Sequence, residues 1–68
     1  MREIAIRDDT IRLGQALKLA GLVDSGGQAR ARLEEGAVQV NGEVELRRGR
    51  QLRRGDVFDL DGEAVRVA

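Results

Sequence analysis

The sequence contains no cysteine, no histidine and no proline, and its one aromatic residue is Phe58. Without cysteine no disulfide framework can staple the fold and no thiolate metal site can form. Without histidine the commonest general base and the commonest zinc ligand are missing as well. These absences point to a reducing, cytoplasmic setting and to a protein that uses no metal or cofactor. No run of about 18 apolar residues is present, the length a membrane helix needs, so no membrane role is expected. The opening Met1-Arg2-Glu3-Ile4 is too acidic, and its apolar stretch too short, for a secretory signal. With 68 residues the expectation is one domain, 1–68, with a modest core. A domain this small buries only about 60% of the surface its unfolded chain exposes.

Net charge is absent too, because 12 basic residues face 12 acidic ones. That balance argues against a simple basic nucleic-acid binder, but it hides an asymmetry. Arg47, Arg48, Arg50, Arg53 and Arg54 fall within eight residues that hold no acid, leaving the remainder of the chain net acidic. All basic residues but Lys18 are arginine, whose planar fork suits phosphate and base edges.

The glycines mark the seams between elements. Ile4 and Ile6 alternate with Glu3, Ala5 and Arg7 and read as a short strand. Thr10 is placed to cap a first helix, in which Leu13, Ala16, Leu17 and Ala20 form one apolar stripe ending at Gly21. Ser25-Gly26-Gly27-Gln28 fits a capping box at the start of a second helix. That helix turns Ala29 and Leu33 inward and stops at Gly36. Two helices so closely joined must pack as a hairpin or a sharp corner.

From Ala37 the period becomes two. Val38 and Val40 lead to Asn41-Gly42, a strong hairpin signal, with Val44 and Leu46 beyond. A two-residue turn would oppose Val40 to Glu43 and send Val44 to the other face. A bulged tip, opposing Val40 to Val44, keeps four apolar side chains together and is the expectation. Gly55-Asp56 starts a further strand, and Asp61-Gly62 makes a second hairpin that opposes Phe58 to Val65. The fold class is therefore α+β, a two-helix motif packed on a small antiparallel β-sheet.

Little here could run a reaction, and the protein is not expected to be an enzyme. Ser25 and Thr10 are better explained as caps. Asp8-Asp9 and Glu34-Glu35 are adjacent pairs, and neighbours on a helix do not face each other. They read as solvated surface, or for Asp8-Asp9 as favourable charge ahead of a helix. Gly26-Gly27 lacks the lysine of a P-loop, and Arg54-Gly55-Asp56 reads as a turn entering a strand. The arginine cluster is different. Five like charges with no compensating acid repel one another, and the pattern suits a polyanion that supplies the missing charge. Because Phe58 lies on the core face, base stacking on exposed rings is not expected. Phosphate contact and shape readout remain, which fits a duplex or a folded RNA.

The run from Ile11 to Asp56 resembles the RNA-binding domain first seen in the fourth small-subunit ribosomal protein. The residues that carry the resemblance are Arg12-Leu13, then Ser25 through Arg30, then Gly36-Ala37-Val38-Gln39-Val40-Asn41-Gly42, then Gly55-Asp56 after a basic stretch. Asp24-Ser25-Gly26-Gly27, with Arg47-Arg48-Gly49-Arg50, is similar to a short bacterial subgroup, the YbcJ and YaaA type. The resemblance implies a grip on structured RNA, with ribosomal RNA the leading candidate, by the two-helix face and the basic loop. It carries Arg12 and Lys18 over on the first helix, Ser25, Gln28, Arg30 and Arg32 on the second, and Arg47, Arg48, Arg50 and Arg53 beside them. Gly26 stands where the family has an arginine, so that contact passes to backbone amides or is lost. For Arg30 and Arg32 the alternative is pairing with Glu34 or Glu35. The expected partner is RNA, bound by a monomer that takes no small-molecule substrate. The alternative is a small adaptor that docks an acidic protein.

Overall fold

The computed structural model describes residues 1–68. The elements run β1 (Arg2–Ile4), β2 (Thr10–Arg12), α1 (Leu13–Leu19), α2 (Gly26–Glu34), β3 (Val38–Val40), β4 (Glu43–Val44), β5 (Gln51–Arg53), β6 (Val57–Leu60) and β7 (Glu63–Val67). Five strands form one sheet in the order β1-β7-β6-β3-β4, and β2 and β5 form a separate antiparallel pair. The class is α+β as expected, with one difference in the sheet. β1 joins β7 in parallel, Ile4 opposite Val67, so the sheet is mixed. Ile6 lies outside β1, half-buried on the core margin.

Both helices end alike. Gly21 and Gly36 each adopt φ +74°, the left-handed conformation that glycine enters without a Cβ clash. In the first, the Leu22 amide donates to the Leu17 carbonyl and the Gly21 amide to Lys18; in the second, Ala37 donates to Arg32 and Gly36 to Leu33. This paired pattern satisfies carbonyls that a helix end otherwise leaves bare. The core fills the space between helices and sheet. α1 contributes Leu13, Ala16, Leu17 and, just past its end, Ala20; α2 contributes Ala29 and Leu33; the sheet contributes Val38, Val40, Phe58, Leu60, Val65 and Val67. Burying each large apolar side chain is worth about 1.5–3 kcal/mol. The Asp61-Gly62 hairpin opposes Phe58 to Val65 as expected.

Three expectations need correction. Thr10 does not cap α1. It lies in β2, paired with Arg53, and the N-cap position is Arg12, which makes no side-chain cap. The basic loop takes that role, because the Leu13 amide donates to the Arg50 carbonyl at 2.8 Å and the Gly14 amide to Arg48 at 2.9 Å. Asp8-Asp9 therefore precede a strand, not a helix. Nor is the basic segment wholly a loop, since Gln51–Arg53 pair with Thr10–Arg12 and bury Leu52.

The third correction concerns the β3–β4 hairpin. It closes with the two-residue turn and no bulge, placing Val40 opposite Glu43 and Gln39 opposite Val44. Asn41 and Gly42 have φ +51° and +85°, the left-handed pair such a tight turn demands. Asn41 also fastens the turn from outside. Its amide N–H donates to the Val57 carbonyl at 2.7 Å, its Oδ1 accepts from the Val57 N–H at 3.0 Å, and its Nδ2 donates to Asp56 at 3.1 Å. Asp56 in turn accepts from the Arg53 amide at 2.8 Å, the main cause of its lowered pKa. With the register so held, Val44 and Leu46 are left 56% and 59% exposed.

Replacing Asn41 with glycine keeps the turn conformation and removes only the side-chain bonds. A loss of about 1–2 kcal/mol is expected in urea unfolding. Asn41→Ala should lose more, because alanine is also strained at that φ. Equal stability of Asn41→Gly and the parent would show that the turn needs no outside fastening.

Candidate nucleic-acid interface

The stripe that buries Leu13, Ala16 and Leu17 turns Gly14, Gln15 and Lys18 of α1 outward. Beside them come the start of α2 at Gly26 and the turn at Arg48-Gly49. Between these three segments lies an open cleft of about 280 Å³, flanked by Arg12, Lys18 and Arg48 and lined by no acidic residue. None of those three cations has a carboxylate partner; elsewhere Arg2, Arg30, Arg32, Arg47, Arg50, Arg54 and Arg66 all do. The amides of Gly26 and Gly27, first in α2, have no backbone or side-chain acceptor. The loop sits close on the helix, since a Cβ at Gly14 would lie 3.4 Å from the Arg48 Cβ.

The other expected site residues are scattered. Ser25 is the N-cap of α2, its Oγ accepting from the Gln28 amide at 3.1 Å. Gln28 reaches back as a capping box requires, though to the amide of Asp24 and not to that of Ser25. Arg30 pairs with Glu34 at 3.0 Å and lines a second groove that shares Arg48. Arg32 points elsewhere, bonded at 2.6 Å to Asp61 of the β6–β7 turn, with Glu35 at 4.0 Å. Arg53 stands exposed and unpaired on β5. Gly14, Gln15, Gly26 and Gly49 line the cleft and carry no charge that a sequence reading could have singled out. Arg7, also unpaired, lies beyond Gln15 in a neighbouring groove with Ile11 and Leu19.

The cluster does have a compensating acid, just outside the arginine-rich segment. Glu45 is buried, its side chain only 10% exposed. Its Oε2 accepts from the Leu46 amide at 3.0 Å and from the Arg47 amide and Nε, both at 3.1 Å. Its Oε1 accepts from Arg47 Nη2 at 3.2 Å and Arg50 Nη1 at 2.9 Å. The Arg47 side chain, then Arg50, then the Arg47 amide hold the Glu45 carboxyl at about 2, against an ordinary 4.5. The same contact raises the pKa of Arg47. Arg54 is drawn aside as well, 3.8 Å from Asp9. The apparent cluster is thus two arginines sharing one carboxylate, one beside another acid, and two left free.

A helix pair on a mixed sheet, with a cationic, acid-free cleft against the helices, defines a small α+β module with one positively charged face. The chain belongs to the S4 domain family, whose model matches residues 4–68. It is 49% identical over 59 residues to RlbA of Bacillus subtilis (strain 168), whose name proposes a ribosome maturation protein; the match covers 87% of this chain and 83% of RlbA. It is 37% identical over 57 residues to YbcJ of Escherichia coli (strain K12), whose name proposes RNA binding, covering 84% and 81%. Among solved structures, the ribosomal protein S4e of Thermoplasma acidophilum superposes with a TM-score of 0.67 at 25% identity. That match covers 88% of this chain and 32% of the S4e chain.

Glu45→Gln should destabilise the fold by about 1–2 kcal/mol at pH 7, the worth of charge-assisted bonds discounted for the exposure of Arg47. The folded carboxyl lies below its unfolded value, so its stabilisation is complete above about pH 4.5 and is lost as the pH falls towards 2. Thermal midpoints of parent and variant should therefore converge across that interval. A gap that stays constant down to pH 2 would show that the ionised carboxylate contributes nothing.

Proposed function

We propose that this protein binds structured RNA, ribosomal RNA foremost, by seating backbone phosphates between Arg12, Lys18 and Arg48. The carrying observation is that three cations without carboxylate partners, Arg12 and Lys18 from the two ends of α1 and Arg48 from the basic turn, flank one cleft that no acid lines. Each phosphate seated there displaces condensed counterions, which is the main source of affinity. The rigid helix pair fixes where the cations stand, so shape and register are read before any base is. Gly14, Gly26 and Gly49 leave the cleft floor without side chains, and the free amides of Gly26 and Gly27 can donate to a phosphate oxygen. Phe58 is fully buried, so no aromatic platform is offered to a splayed base. Family membership and the names borne by RlbA and YbcJ support the same reading.

The role is binding and not catalysis, because the chain brings no nucleophile and base together; the Ser25 hydroxyl is committed to its cap. No helix is long and apolar enough to cross a membrane, and the reading places the protein in the cytoplasm, acting as a monomer. In this reading Arg30, which lines the neighbouring groove that shares Arg48, and Arg53, exposed on β5, serve as secondary contacts.

Binding to ribosomal RNA, transfer RNA and duplex DNA across a salt series tests this. With three phosphates held, log affinity should fall against log salt with a slope of about −2 to −3, RNA being preferred. Arg48→Ala should weaken all RNAs alike and reduce the slope by about 0.7–0.9. Undiminished affinity in Arg48→Ala would remove the cleft from the mechanism. Binding to none of the three at low salt would favour an acidic protein as the partner.

A further inference from the structure

Arg47, Arg48, Gly49 and Arg50 form a tight turn, closed by the Arg50 amide donating to the Arg47 carbonyl at 3.2 Å. Its two corner residues are the two arginines that Glu45 grips through their side chains, and Glu45 also accepts the amides of Leu46 and Arg47. Its two apex residues, Arg48 and Gly49, are the ones that line the cleft. From the other side the turn is tied to α1, with the Arg48 and Arg50 carbonyls accepting from Gly14 and Leu13. One carboxylate, itself tied back by the Glu45 amide to the Val38 carbonyl at 3.0 Å, therefore holds both shoulders of the turn.

We propose that Glu45 is a positioning residue for RNA binding: by clamping Arg47 and Arg50 it holds Arg48 at the apex as the one arginine of the turn presented to phosphate. The proposal rests on RNA as the ligand. A freely moving run of arginines must be ordered when a polyanion binds, and each long side chain immobilised then costs affinity. Glu45 meets that cost in the fold, engaging two of the turn's three arginines and offsetting one unit of their positive charge. Simple Coulomb reasoning and positioning now predict opposite signs. Removing a negative charge beside a cationic cleft should tighten RNA binding if charge alone matters. It should weaken binding if the carboxylate's task is to hold the turn.

The test uses the full chain with labelled fragments of ribosomal RNA, at a temperature where circular dichroism shows parent and variant equally folded. Glu45→Gln is expected to bind about tenfold more weakly, the cost of ordering one loop arginine on binding. Its salt slope should not fall, because no phosphate contact has been deleted, and the Leu46 and Arg47 amides should lose their protection from hydrogen exchange. Arg50→Met gives a second route that leaves the carboxylate in place: affinity falls while the slope holds. Equal or tighter binding by Glu45→Gln, where the parent binds, overturns the positioning role and leaves RNA binding intact. A slope reduced by about 0.7 in Arg50→Met would make Arg50 itself a phosphate ligand, and the clamp would fail. If the parent binds no RNA at any salt, both readings fall together.

Discussion

The register of the β3–β4 hairpin is the constraint on which the rest of this small structure depends. Side chains alternate across a strand, so a slip of one residue exchanges every inward group for its outward neighbour. Hydrophobic burial favours the register that takes Val44 and Leu46 inside. The turn favours the other, because Asn41 and Gly42 are suited to the left-handed pair of a two-residue connection, and Asn41 is bonded to Asp56 and Val57 on the next strand. The turn prevails, and Glu45 goes inward in place of the apolar residues.

A buried carboxylate is tolerable only when its oxygens are fully engaged. Glu45 meets that condition by drawing the following segment around itself, using two backbone amides and two arginines. The basic turn is thereby folded against α1, where its carbonyls serve as the cap that no side chain provides. Charge that looks uniform along the chain becomes unequal in space: Arg47 and Arg50 are tied to one carboxylate, and Arg48 is left free at the apex beside Arg12 and Lys18. The cleft and the hairpin register are consequences of one arrangement.

The parts legible in the sequence were those set by local chemistry. The apolar stripe of α1, the serine cap of α2, both glycine stops and the Asp61-Gly62 hairpin each depend on residues within a few positions of one another. Arg48 was legible as a candidate through the arginine cluster, and Arg12 and Lys18 through family resemblance, but nothing in their spacing showed that they would share a cleft. The β2–β5 pair was not legible, because three residues around Ile11 and three around Leu52 carry too little pattern to announce a partner forty positions away. The parallel pairing of β1 with β7 joins opposite ends of the chain for the same reason.

The sequence alone therefore determined the α+β class, the helices and the family, since these follow from periodicity, caps and motif order. Only the tertiary structure decided which arginines are free. An ion pair depends on separation in space, and folding brings Glu45 to Arg47 and Arg50, Asp61 to Arg32 and Asp9 to Arg54. Arg12, Lys18 and Arg48 remain unpaired because no acid is folded against them.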